Sequence, residues 1–157
     1  MKVQTKWFGE IETTESKIIT LEKGIIGFEE DKKFTIVYEE DSNIMWLQSL
    51  ENVSLAIPVI RPEIVMPDYD PIVEDELVNT LGTDIRNAEL LVLVTLTVPS
   101  DIKMMTCNLK APLIINVDTM KGIQLIADND DYMVRYPIYD LLKDRKEKDG
   151  ELSLIHI

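Results

Sequence analysis

Apolar positions along this 157-residue chain recur mostly at period two, or fall in short runs closed by turn residues, which is the pattern of strands rather than helices. Val3, Thr5 and Trp7 share one face of a first predicted strand, and Gly9 permits a turn or bulge before Ile11. A second strand is predicted over 17–21. EKGIIGFEE follows as a loop in which Gly24 or Gly27 needs a positive φ. Phe34, Ile36 and Tyr38 alternate with Thr35 and Val37, and EEDSN at 39–43 reads as a hairpin connector. Strands over 45–50 and 55–60 flank the polar turn Glu51-Asn52. Pro58 cannot donate to a ladder, which predicts an edge or a bulge for its strand.

Prolines at 62, 67 and 71 mark an extended crossing segment. Val73, Leu77, Val78 and Leu81 then recur at helical spacing, so a short helix is predicted over 73–81. Glu74, Asp75 and Glu76 stand at its start, where the dipole favours anions, and Gly82 suits its C-terminal cap. LLVLVTLTV at 90–98 is the best strand, rich in β-branched residues. Further strands are predicted over 101–108, 112–118, 122–127 and 132–136. Spacing of this kind fits an antiparallel barrel or sandwich. The expectation adopted is a mainly β, single-domain, antiparallel β-barrel-like fold over 1–138. Residues 139–157 read as a charged C-terminal extension with a brief helix over 139–147. The closing LSLIHI fits no strand, reads as disordered or artefactual, and carries no functional weight.

Charge alters the picture more than length does. With 16 basic and 29 acidic residues the net charge is −13. Such a chain repels phosphate backbones and attracts basic proteins, so direct nucleic-acid binding is not expected. One cysteine excludes an internal disulfide framework and a Cys-rich zinc site, and suits a reducing compartment. No leader pattern is visible, and no apolar run approaches the roughly 20 residues that span a bilayer. A cytoplasmic protein with no membrane contact is the expectation.

Candidate chemistry is sparse. The acids Asp68, Asp70, Glu74, Asp75 and Glu76 would suit a hard cation, but the glycine of an EF-hand loop is missing, and a solvated loop plus a helix start accounts for them. The only histidine, His156, lies in the excluded tail, which removes histidine base catalysis. Cys107 has no histidine partner and reads as a small buried hydrophobe. GIIGFE lacks the Lys-Ser/Thr ending of a phosphate loop. No catalytic residue, metal or cofactor is expected. Trp46 reads as core; Tyr69, between two aspartates in a proline-rich segment, reads as exposed and suited to a protein contact. NLKAPLIIN at 108–116 is open to two readings. Either Pro112 blocks pairing and makes a sheet edge or a rim for a partner, with Asn108 and Asn116 satisfying exposed backbone, or it begins a core strand.

Several motifs in order resemble one family. GIIGFEE (24–30), WLQSLENVSLAIPVI (46–60), PDYD (67–70), the acidic helix at 74–81, LLVLVTLTVP (90–99), NLKAPLIIN, GIQLI and YMVRYPI together resemble the flagellar assembly factor FliW family, over about 1–138. Lys110 stands where that family usually has Gln, and Ile25-Ile26 where it often has Leu-Pro. The resemblance implies a non-enzymatic partner-switch protein acting in bacterial flagellum biogenesis and translation regulation. It would bind the RNA-binding regulator CsrA as an allosteric antagonist. It would also bind flagellin, in the manner of a chaperone, so that flagellin level controls flagellin translation. The residues expected at the partner surface are Glu29, Glu30, Asn52, Asp68, Tyr69 and Asp70, then Glu74, Asp75 and Glu76. The competing expectation is a small β-barrel cofactor binder or enzyme of the flavin split-barrel kind, which needs a basic phosphate pocket.

Overall fold

A computed structural model describes residues 1–82 and 89–148. Along the described chain run β1 (Lys2–Thr5), β2 (Gly9–Glu12), β3 (Ile19–Leu21), β4 (Lys33–Tyr38), β5 (Met45–Ser49), β6 (Ala56–Ile60), α1 (Asp75–Asn79), β7 (Leu90–Thr97), β8 (Thr106–Cys107), β9 (Leu113–Asn116), β10 (Lys121–Gln124), β11 (Tyr136–Pro137) and α2 (Tyr139–Lys148). The order β7-β6-β5-β4-β3-β10-β9 returns to β7, because β9 pairs with both β10 and β7, and seven strands thereby close a barrel. Closure leaves these strands no open edge. The ladders are antiparallel as expected, except that β3 and β10 run parallel, with Lys121 opposite Thr20 and Gly122 opposite Leu21. A parallel pair needs a long crossover, and most of the chain between these two strands supplies it.

Alternate residues of the barrel strands meet inside. Ile19, Leu21, Phe34, Leu47, Val59, Leu93, Leu113 and Ile115 form one buried cluster. Each contributes about 1.5–3 kcal/mol by leaving water. Gly122 is the β10 residue at this layer. A Cβ there would stand 2.7 Å from Leu21 Cδ2 and 3.0 Å from Ile115 Cγ1, so the missing side chain lets the strand close tightly.

β7 is covered on both faces, which explains its nearly continuous apolar run. Leu93 points into the barrel. Val94 and Leu96 join a second cluster with Ile60, Met105, Cys107, Leu109, Ile138 and Leu142. Leu90 and Val92 pack under α1, whose Val78, with Leu81 just beyond the helix, is buried on Ile114, Ile123 and Leu125. Gly82 leaves the helix at φ +110°, and the Thr119 hydroxyl donates to the Leu81 carbonyl at 2.6 Å.

Some expectations are corrected. Trp7 lies in the turn between β1 and β2 and is exposed. Gly24 and Gly27 both take positive φ, +67° and +92°. The strand bearing Pro58 is not an edge. β6 lies between β5 and β7, but its register with β7 covers Val59 and Ile60, leaving Pro58 beyond that ladder. The strand predicted over 101–108 opens as a short 3-10 turn, Ile102–Met104, because the Asp101 carboxylate accepts from Lys103 N at 3.1 Å, and only β8 remains extended. Of 132–136, Tyr136 alone enters a strand. The C-terminal helix forms as predicted, with Leu142 buried in the second cluster. LSLIHI lies outside the described residues.

Candidate protein-docking surface

The GIIGFEE loop follows β3 and folds back on itself. A Cβ on Gly24 would sit 2.6 Å from Glu29 Cα and 2.7 Å from its carbonyl oxygen, so the backbone crossing there requires glycine for space as well as for φ. Ile25 inserts into the barrel cluster, while Ile26 and Phe28 stay exposed. The Glu29 carboxylate is engaged by its own loop, accepting from Gly27 N at 2.8 and 3.1 Å. Lys32 Nζ donates to the Glu29 carbonyl. Glu30 is exposed.

The turn after β5 is bonded to this loop. Glu51 accepts from Lys32 N at 2.6 Å and Lys33 N at 2.9 Å, and these two bonds, in that order, hold its carboxyl below the ordinary value of 4.5. Ser49 Oγ donates to Asp31 at 3.0 Å and accepts from Asn52 N at 2.9 Å. Asn52 caps the turn, its Oδ1 accepting from Ser54 N at 3.1 Å. Beneath it the fully buried Gln48 donates to the Ser49 carbonyl at 3.0 Å, and its own Oε1 has no partner among the described residues. The structure thus brings Glu29, Glu30 and Asn52 to neighbouring loops.

A second group forms around PDYD. Tyr69 is not exposed as expected. It stacks on Tyr132 at 4.8 Å and 20°, packs against the second cluster, and its hydroxyl donates to the Leu109 carbonyl at 2.7 Å. Burial, then the neighbouring Tyr132, raises its pKa, so the phenol is neutral and acts as a donor. A tyrosine surrounded by acids in sequence is therefore a structural pin. Asp70 N donates to Tyr132 Oη at 2.7 Å, and Asn129 bridges Asp70 O and Ile72 N at 3.1 and 2.7 Å. The carboxylates of Glu30, Asp68, Asp70, Glu74, Asp75 and Glu76 engage no partner among the described residues and point to solvent as free charge.

NLKAPLIIN turns out to be core. All of 111–116 is buried, and β9 is the strand that closes the barrel, which corrects the edge-or-rim reading. Pro112 immediately precedes β9. Asn108 Oδ1 accepts from Lys110 N and Ala111 N at 3.1 Å each, and Asn116 Oδ1 accepts from Asp118 N at 2.9 Å, as the sequence suggested. This core segment links the two surface groups. Tyr69 holds the Leu109 carbonyl, Lys110 Nζ donates to the Asn129 carbonyl at 2.7 Å, and Gln124 bridges the Ala111 carbonyl at 3.0 Å to Ile26 N at 2.8 Å. Gln124 and Asn129 were not singled out from sequence, since their roles depend on which backbone they meet, whereas Tyr132, an aromatic suited by sequence to face a partner, packs on Tyr69 instead.

Burial pushes the Cys107 thiol up to about 12, far from a nucleophile's range. Among the described residues no three His, Cys, Asp or Glu side chains converge as metal ligands. No described helix is long and apolar enough to cross a membrane.

The fold is a closed seven-stranded barrel whose surface loops carry several carboxylates without partners among the described residues. The family model described as FliW protein matches residues 2–138, and the chain belongs to that family of flagellar assembly factors. It is 62% identical to a flagellar assembly factor FliW of Lachnospira eligens, over 91% of this chain and 97% of the relative. It is 50% identical to that of Lachnoclostridium phytofermentans, over 96% and 99%. A solved structure titled as the crystal structure of the flagellar assembly factor FliW superposes with a TM-score of 0.80 at 33% identity, covering 88% of this chain and 97% of that one.

Proposed function

We propose that this chain is a non-enzymatic partner switch of the cytoplasm. It binds a CsrA-type translational regulator and antagonises it, and it binds flagellin, so that accumulating flagellin releases the regulator to repress flagellin synthesis. The observation that carries the reading is the set of uncompensated surface carboxylates on a molecule of net charge −13, in a family of flagellar assembly factors. A regulator that grips RNA phosphates must present basic residues, and this surface would steer toward them. If flagellin weakens regulator binding, the regulator weakens flagellin binding by the same free energy.

Calorimetric titration with purified regulator and flagellin, singly and together, tests the switch. Each should bind alone, and each should weaken the other. Asp68→Lys with Asp70→Lys should abolish regulator binding while thermal unfolding stays normal. Indifference of the wild-type chain to both proteins would sink the reading. The flavin-type alternative gains no support, because the barrel interior is occupied by packed side chains.

A further inference from the structure

The free acids lie beside apolar side chains that neither the sequence pattern nor the family motifs explain. Ile26, Ile72 and Ile126 are 61%, 58% and 58% exposed. Three separate loops carry them, yet hydrogen bonds link these loops one to the next. Ile26 N donates to Gln124 Oε1 at 2.8 Å. Gln124 and Ile126 are two residues apart in an extended run whose intervening Leu125 is buried, so they share a side. Asp128, two residues further, donates its N–H to the Ile72 carbonyl at 2.8 Å. Asp70, Glu74 and Asp128 flank the Ile72 end, are exposed, and hold no ion pair among the described residues. Three large apolar side chains left in water beside uncompensated charge describe an interface core and its polar rim rather than an idle surface.

We propose that Ile26, Ile126 and Ile72 form a docking strip for a protein segment that interleaves apolar residues with Lys or Arg. The isoleucines retain the segment and the carboxylates accelerate its arrival. The occupant follows from charge complementarity: an acidic rim rejects acidic partners, and the strip rewards apolar side chains set among cations. This deepens the partner-switch reading by naming where a partner sits, and it rests on that reading for the partner's identity.

The division of labour has a kinetic signature. Association and dissociation are measured for the regulator, for flagellin, and for a synthetic peptide of alternating Leu and Lys as a probe independent of either. Ile126→Ser and Ile72→Ser should speed dissociation at least about tenfold and leave the salt dependence unchanged. Asp70→Asn with Asp128→Asn should instead slow association several-fold and flatten its salt dependence. Unfolding midpoints close to wild type keep the comparison valid, and Ile26→Ser provides a third variant should one of the others unfold. Wild-type dissociation rates for every ligand in the serine variants overturn the strip. Failure of the wild-type chain to bind regulator and flagellin defeats the partner-switch reading, and the Leu–Lys peptide then decides the strip by itself. No binding of that peptide either overturns the strip.

Discussion

Gly24 shows how much a single residue can be asked to do. Its φ of +67° is disfavoured for any side chain, and the Glu29 backbone fills the space a Cβ would take. Gly24→Ala should cost about 1–3 kcal/mol from the backbone strain, more if the Glu29 crossing opens, and chemical denaturation reads it directly. Glu51 works through charge. Its carboxylate is held down by two backbone N–H groups, so its folded pKa lies below the unfolded one. Its contribution is present above about pH 4.5 and is lost as pH falls through the lowered folded value. Glu51→Gln should lower stability modestly at neutral pH and flatten its decline below pH 4.5, as urea titrations across pH will show. On the alkaline side, burial raises Cys107, so its contribution is whole below its ordinary value of 9.0 and is lost as pH climbs toward about 12.

At the scale of elements, α2 is the instructive case. Its sequence is charged and its apolar face narrow, so an isolated helix of this length would be marginal in water. It holds because Leu142 is 1% exposed within the second cluster, beside Ile138 at 0%. Leu142→Ala should lower stability by about 2–5 kcal/mol, measurable as a shifted denaturation midpoint. A peripheral role for the segment would be seen as no shift. Since Tyr69 and Tyr132 pack on the same cluster, loosening α2 should also loosen the PDYD loop, with faster hydrogen exchange there.

For the whole molecule, the closed barrel is a stiff frame and the acids are its long-range field. A net charge of −13 acts over a Debye length of about 8–10 Å, so salt should govern how fast a basic partner arrives more than how long it stays. Raising salt from low to physiological strength should cut the association rate constant by on the order of tenfold in stopped-flow mixing, with dissociation nearly unchanged. An equal effect on both rates would assign the charges to the bonded interface itself.

Local pattern was enough for the strands that form the barrel, the helix at 75–79 and the two asparagine caps, since each depends on side-chain period or on groups a few residues apart. It was enough, too, to mark GIIGFEE as a loop needing glycine. What failed were inferences about exposure and about two strands, since 101–108 opens as a 3-10 turn and 132–136 stays largely irregular. Tyr69 is pinned by Leu109, forty positions away; for NLKAPLIIN, left open between rim and core, the pairing of β9 on both sides decides for core. The chain by itself determined most of the segments that extend or turn, and how much charge the molecule carries, because these are properties of neighbours in sequence. Barrel closure, the parallel β3–β10 seam and the linking of the loops that carry Ile26, Ile126 and Ile72 were decided only in the tertiary structure, because each depends on which distant polar groups satisfy one another.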